Sequence, residues 1–172
     1  MRLLCSCLLA LSLPALATTQ LTLPDGREVV LEDDFTWHYL LTMPAQDGSQ
    51  APQLSQQALA EPALLGQSSA QGVTVALVGR IQEPGRQRLK LQVHNLQAGS
   101  VVQVEGRVRF YSAKGVQLGE APLRLWQSTY RLPETYLRQG DEKSYTTDWL
   151  SLPAGEANPL LQLQVLEVNR RS

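Results

Sequence analysis

The stretch from Val101 to Tyr111 limits the possible folds of this chain more than any other, because polar and apolar residues alternate along it. Apolar side chains stand at every second position from Val102 to Phe110, with Gly106 as the only small residue on that face. The residues between them are Gln103, Glu105, Arg107 and Arg109. A repeat of two is typical of a β-strand, whose successive side chains point to opposite faces. Burying these polar side chains without hydrogen-bond partners would cost free energy, so we expect them on a face in contact with water. The pattern therefore predicts an antiparallel strand with one solvated face and one buried face.

Short alternating runs of the same kind recur from residue 73 to the end of the chain. Turn-forming sequences separate them, including Glu83–Arg86 and Ser112–Gly115, and in the second of these the glycine is expected to take a positive φ. About seven short strands, with a turn about every eight to twelve residues, are typical of a two-sheet sandwich. The sequence therefore predicts an all-β fold in which residues 73–172 form an immunoglobulin-like antiparallel β-sandwich.

The N-terminus has the parts of a secretory signal peptide. Arg2 supplies the positive charge, Leu3–Leu13 a mostly apolar run, and Ala15 and Ala17 the small residues of a cleavage site after Ala17. The run is too short to span a bilayer, so we expect residues 1–17 to be removed and no membrane span to remain. Cys5 and Cys7 raise the alternative of a lipid-modified cysteine, but most of the apolar run follows them instead of preceding them. We therefore predict export from the cytoplasm to the periplasm or the exterior of the cell.

Composition excludes several classes of chemistry. Cys5 and Cys7 are the only two cysteines, so a cleaved chain would have no disulfide, thiol nucleophile or thiolate metal ligand. Charge is balanced, with 15 Lys and Arg against 16 Asp and Glu. Nucleic-acid-binding proteins usually carry a basic surface that this composition does not provide. We therefore expect no nucleic-acid partner.

Two segments precede the predicted sandwich. Residues 18–41 are typical of a three-stranded β-meander whose third strand places Trp37 and Tyr39 on one face. Residues 42–72 contain no Lys or Arg and are rich in Ala, Gln, Ser and Pro, which favours a linker. Either its leucines pack on the sandwich or the segment is disordered, and both alternatives stay open. The leucines concerned are Leu54, Leu59, Leu64 and Leu65.

The segment Leu23–Trp37 resembles the opening of an uncharacterised family of exported proteins from Gram-negative gammaproteobacteria. Members of that family begin, after the signal peptide, with the pattern L-x-D-G-x-x-V-x-L-x-D-D-x-T-W, which this segment matches. Phe35 stands where glycine is common in the family. The resemblance implies export and implies nothing about activity.

The C-terminal half is similar to the immunoglobulin-like modules of bacterial envelope proteins. The similarity lies in the order of four short motifs: Phe110-Tyr111, Lys114-Gly115, Leu118-Gly119 and Gly140-Asp141-Glu142. The resemblance implies a module that binds, spaces or presents other molecules, because few such domains are enzymes.

Few residues have the spacing that catalysis or metal binding requires. The acids Glu32, Asp33 and Asp34 could offer oxygens to calcium, but three extended neighbours cannot all point at one ion, which favours a solvated turn. The two histidines, His38 and His94, are accompanied by no G-x-S-x-G, H-x-H or H-E-x-x-H motif. We therefore predict no catalytic residue, no metal site and no cofactor.

Two groups of aromatic residues could form an exposed cleft for a glycan or a peptide. Trp37 and Tyr39 are the first group. The second lies in and beside a long loop at 129–136, and its candidate binding residues are Trp126, Tyr130, Arg131 and Tyr136. Aromatic side chains at the ends of a sandwich are also common core residues, so this alternative stays open for both groups.

Three functions remain, in order of preference. The first is a non-enzymatic binding or accessory module of the cell envelope, with an envelope protein or a glycan as its partner. The second is a structural or assembly protein that pairs a sheet edge with a partner strand. The third is an enzyme that would have to use carboxylates with Arg or Tyr. The sequence leaves the ligand and the oligomeric state open.

Overall fold

The computed structural model describes residues 19–24, 28–31, 37–43, 53–129 and 131–171. The predicted signal peptide, the acidic residues 32–34 and Tyr130 lie outside the described residues. The strands of the described part are β1 (Thr19–Thr22), β2 (Glu28–Leu31), β3 (Trp37–Tyr39), β4 (Thr42–Met43), β5 (Gln53–Leu54), β6 (Gln67–Ala70), β7 (Val73–Glu83), β8 (Arg86–Asn95), β9 (Ser100–Tyr111), β10 (Gln117–Gln127), β11 (Glu142–Thr146), β12 (Leu150–Ser151) and β13 (Leu160–Arg171). Helix α1 spans Gln56–Ala60, and two 3-10 helices span Pro62–Gly66 and Pro133–Thr135.

Two antiparallel sheets face each other and enclose the main core. One has the order β11-β8-β7-β6, with β12 also paired to β8, and the other has the order β10-β9-β13. The larger sheet, in the order β11-β8-β7, corresponds to strands E, B and A of an immunoglobulin domain. The smaller sheet, in the order β10-β9-β13, corresponds to strands C′, C and F, so the two sheets share the Greek-key order of such domains. The predicted all-β antiparallel sandwich is confirmed.

Strand β9 lies at the centre of the smaller sheet and is buried as its alternation predicts over most of its length. Val104, Val108 and Phe110 lie in the core together with residues of the facing sheet. On the opposite side Glu105 is exposed and Arg107 is half-buried. This strand therefore has one buried face and one solvated face, and the sandwich closes over the first.

Val102 is the exception to that alternation. It is only half-buried, whereas its neighbour Val101 is fully buried. On β13, Arg170 pairs with Val101 and the preceding Asn169 pairs with Gln103, so Val102 is an extra residue in the ladder. Such a β-bulge reverses the alternation at the start of the strand.

A second, smaller core covers one end of β9 on its outer face. Its buried residues are Leu41, Leu54, Ala58, Leu64, Leu65 and Tyr111, with Leu59 partly buried beside them. The Tyr111 hydroxyl donates to Gln162 Oε1 at 2.9 Å, and burial raises the pKa of Tyr111 above its ordinary value. The described part of the predicted linker therefore packs its leucines on the sandwich. Residues 44–52 lie outside the described part.

Strand β6 lies inside the segment that the sequence assigns to a linker. It pairs with β7, with Ser69 opposite Thr74, so the larger sheet includes residues before Val73. Its sequence has no apolar alternation, because the inward Ser68 accepts a hydrogen bond from the Val165 N–H at 2.9 Å instead of filling the core. The division of the chain into domains otherwise stays a prediction.

The N-terminal strands form their own three-stranded sheet in the order β1-β2-β3. Val29 and Val30 are buried, whereas Leu21, Leu31 and Trp37 are exposed. Leu31 pairs with Trp37, so both side chains lie on one face of this sheet. The same face carries Val29 opposite Tyr39, so it is covered at Val29 and stays partly exposed at Leu21, Leu31 and Trp37.

Candidate functional site

Three of the four predicted binding residues near 129–136 lie in the described part of the chain, and the two aromatic ones among them, Trp126 and Tyr136, are buried. Trp126 is buried, with its ring centroid 5.8 Å from that of Tyr145 in the core. Tyr136 is also buried, and its hydroxyl accepts a hydrogen bond from Arg171 Nη1 at 3.1 Å. Tyr130 lies outside the described residues.

Arg131 and Tyr136 do line a common surface depression. It has a volume of about 460 Å³ and is completed by Ser100, Pro133 and Arg171. Arg131 is exposed and has a φ of 61°. The structure thus brings two of the predicted residues together and places the Trp126 side chain elsewhere. A ligand-binding role for the group stays a prediction.

The two aromatic residues of β3 lie over the outer face of the larger sheet. Trp37 and Tyr39 alternate along the strand and therefore share a face, with ring centroids 5.3 Å apart and ring planes at 90°. Together with Gln67, Ser69 and Thr74 they line a depression of about 280 Å³. Trp37 keeps 45% of its surface exposed at this depression.

The floor of the depression follows from the pairing of β6 with β7. Gln67 pairs with Ala76 and Ser69 with Thr74, and these four side chains lie on the face opposite the buried Val75. Ser69 and Ala76 are small and leave room beneath the rings, while Gln67 supplies an amide and Ser69 and Thr74 supply hydroxyl groups. The local sequence thus produces a recess with aromatic walls and a polar floor.

A second depression of about 280 Å³ continues on the other side of Tyr39 and shares Gln67, Ser68 and Ser69 with the first. Its far end is lined by polar side chains of the smaller sheet: Arg109, Gln162 and Gln164. We call the two depressions together the β6 cleft, from Trp37 past Tyr39 to Gln164. The cleft therefore has an aromatic end at Trp37 and an amide-rich end at Gln162 and Gln164, and the edge strand β6 lies between the two ends.

A pair of carboxylates occurs at a different place, between the sheets. Glu105 and Asp148 line a depression of about 300 Å³ together with Arg124 and Trp149. Both carboxylates are exposed, and Arg86 lies 4.3 Å from the Trp149 ring centroid.

The described ranges contain no group of three or more His, Cys, Asp or Glu residues that could hold a metal ion. His94 is half-buried on β8, and the His38 side chain lies outside the described part. The acidic residues Glu32, Asp33 and Asp34 also lie outside it.

The outer strands of both sheets carry features that limit pairing with another chain. Pro122 lies in the middle of β10 and has no backbone N–H to donate. At the edge of β13, the Val165 N–H is already bonded to Ser68 Oγ. Strand β11 has only five residues, among them Glu142 and Lys143. Short, charged or proline-containing edges are those that resist strand addition.

These features define an all-β sandwich protein with an aromatic cleft at one sheet edge. The chain belongs to the family described as "Protein of unknown function (DUF3157)", whose model matches residues 1–53 and 41–170. Membership confirms the predicted affiliation with a family of unknown function, while the bacterial origin and the N-terminal motif stay predictions. No curated protein and no solved structure matches the chain.

Across the part of the chain that the structure describes, no helix is both long enough and apolar enough to cross a bilayer.

Proposed function

We propose that the protein is exported to the periplasm or exterior of a Gram-negative cell and is a non-enzymatic binding module of the envelope. The β6 cleft is its recognition site. Export is supported by the N-terminal sequence, in which Arg2 precedes the apolar run Leu3–Leu13 and the small residues Ala15 and Ala17. The binding role is supported by the cleft itself.

The observation that carries this proposal is the half-exposed indole of Trp37. Tryptophan is among the largest apolar side chains, and burying it is a large favourable term in folding. Here 45% of Trp37 stays exposed, while Tyr39 contacts it edge to face at the rim of the cleft. A ring held open beside convergent polar groups is suited to contact a ligand.

The two other functions have less support. Assembly through sheet edges needs a long unpaired strand, whereas β10 carries Pro122 and β13 uses its Val165 N–H internally. Enzyme activity usually needs reacting groups gathered in an enclosed pocket, whereas the carboxylates of Glu105 and Asp148 are exposed to water. Binding at the β6 cleft accounts for more of the observed geometry than either.

The proposal predicts specific retention of an envelope component. The purified protein, immobilised and incubated with a Gram-negative envelope extract, is expected to retain a component that Trp37→Ala retains about tenfold less. Arg131→Gln is the matched control, because Arg131 is an exposed residue of a different depression, the one that it lines with Tyr136 and Arg171. It is expected to retain as much as the original protein.

Two outcomes would contradict the proposal. One is that no envelope component is retained by the original protein. The other is that Arg131→Gln abolishes retention while Trp37→Ala does not, which would transfer the site to the loop at 129–136. Fractionation of cells expressing the full chain tests export separately, and recovery only from the cytoplasm would refute that part.

A further inference from the structure

We propose that the β6 cleft binds a neutral oligosaccharide, an inference that rests on the proposed function of the cleft. A sugar ring presents an apolar C–H face and a rim of hydroxyl groups. The cleft offers the complement of both, since Trp37 and Tyr39 form its apolar wall and the β6–β7 floor supplies hydroxyl and amide groups. Aromatic rings combine a large apolar face with little conformational freedom, which makes them efficient stacking surfaces.

The polar floor is available for hydrogen bonding. The side chains of Gln67, Ser69 and Thr74 make no hydrogen bond to any other residue in the described ranges. Hydroxyl and amide groups can each donate and accept, which matches a sugar hydroxyl that does both. A proline-rich peptide also stacks on aromatic rings, but it offers mainly carbonyl acceptors. The composition of the floor therefore favours a saccharide over such a peptide.

Charge at the far end of the cleft favours a neutral ligand. Arg109 is half-buried there, and its Nε lies 3.1 Å from Glu120 Oε2. The guanidinium is thus already paired with a carboxylate, and the other polar side chains that line this end are the neutral amides of Gln162 and Gln164. Of these amides, Gln162 Oε1 already accepts from the Tyr111 hydroxyl and Gln164 Oε1 is buried. An acidic sugar would have to compete with Glu120 for this cation.

The length of the cleft favours more than one sugar unit. Each depression has a volume of about 280 Å³, close to the lower limit of small-ligand pockets. The two share the residues Tyr39 and Gln67–Ser69, so a chain that occupies one can extend into the other. A monosaccharide would occupy one half alone and is expected to bind more weakly.

The test is a calorimetric titration of the purified protein with neutral oligosaccharides. The panel contains di- and tetrasaccharides of the glucose and N-acetylglucosamine series, their monosaccharides, and a proline-rich decapeptide. At least one tetrasaccharide is expected to bind about tenfold more tightly than its monosaccharide, and Trp37→Ala is expected to lose about tenfold or more. Thr74→Val, which keeps the shape and removes the hydroxyl, is expected to lose about fivefold.

Trp149→Ala is the control, because Trp149 is similarly exposed at 36% but lies at the Glu105–Asp148 depression. Unchanged binding by this variant supports the proposal. An equal loss in Trp149→Ala and Trp37→Ala would indicate unspecific contact with exposed indoles and would overturn it. If no saccharide binds while Trp37-dependent retention of an envelope component persists, the saccharide assignment is wrong and the binding function stands. Binding of the peptide alone would likewise refute the saccharide assignment and leave the binding function intact.

Discussion

Gly106→Ala is expected to destabilise the protein by about 3 kcal/mol or more, which is a large part of the stability of an ordinary domain. A Cβ at this position would lie 2.2 Å from the backbone oxygen of Gln164 and 2.4 Å from Leu125 Cδ1. The leucine can rotate, but the backbone of β13 is held in the ladder with β9 and cannot move without breaking it. The free energy of unfolding in urea measures the loss.

Gly119→Ala is the matched control for this substitution. Gly119 also lies in a strand of the smaller sheet, and a Cβ there would meet no atom within 4 Å. Its replacement is expected to change stability by less than about 0.5 kcal/mol. Equal stability of the two alanine variants would contradict the close approach of β13 to Gly106.

Asn95→Ala is expected to cost about 3 kcal/mol, because this fully buried amide joins three parts of the chain. Its Nδ2 donates to the carbonyl oxygens of Gly99 at 2.9 Å and Leu137 at 3.1 Å. Its Oδ1 accepts from the Gln97 N–H at 3.2 Å and from Arg170 Nη1 at 3.0 Å. Alanine would remove all four hydrogen bonds and leave a cavity at a fully buried position, and denaturant unfolding would report the loss.

Gln97→Ala provides the comparison in the same loop, since its side chain is exposed and its backbone N–H remains. It is expected to be neutral within about 0.5 kcal/mol. A neutral Asn95→Ala variant would mean that the loop, the 137–140 segment and the end of β13 are not held together by this residue.

The alternation in β9 could be predicted from the sequence because a period of two is a local property of neighbouring residues. The turns are predictable for the same reason, and Gly115 has the positive φ expected there, at 81°. The bulge at Val102 could not be predicted, since no residue type marks it and it depends on the pairing with β13.

A second irregularity explains the burial of Trp126. The register of β10 against β9 shifts between Arg124 and Trp126, so that Leu125 and Trp126 are both buried. Strict alternation would have turned one of them outward. Local sequence alone therefore could not decide between a core role and a binding role for this tryptophan.

The β6 cleft is only half predictable from the sequence. A shared face for Trp37 and Tyr39 follows from their spacing, and both are candidates for an aromatic cleft on that ground. The polar residues Gln67, Ser69 and Thr74 could not be predicted as part of the cleft. The docking of β3 on β6 joins residues about 30 positions apart, which local sequence does not reveal. Because β6 is polar and has no apolar alternation, the sequence predicts a linker at a position where the structure has a strand.

The central claim is that a ligand is recognised at Trp37 in the β6 cleft, and fluorine NMR of the protein labelled with 5-fluorotryptophan tests it most directly. The three tryptophans give three resonances, which substitution of each one assigns. We expect the Trp37 signal to respond to solvent in the free protein and to shift when the retained envelope ligand is added, while the buried Trp126 does neither. A Trp37 signal that is shielded from solvent at the outset, or that stays unchanged when the ligand binds, would contradict the account.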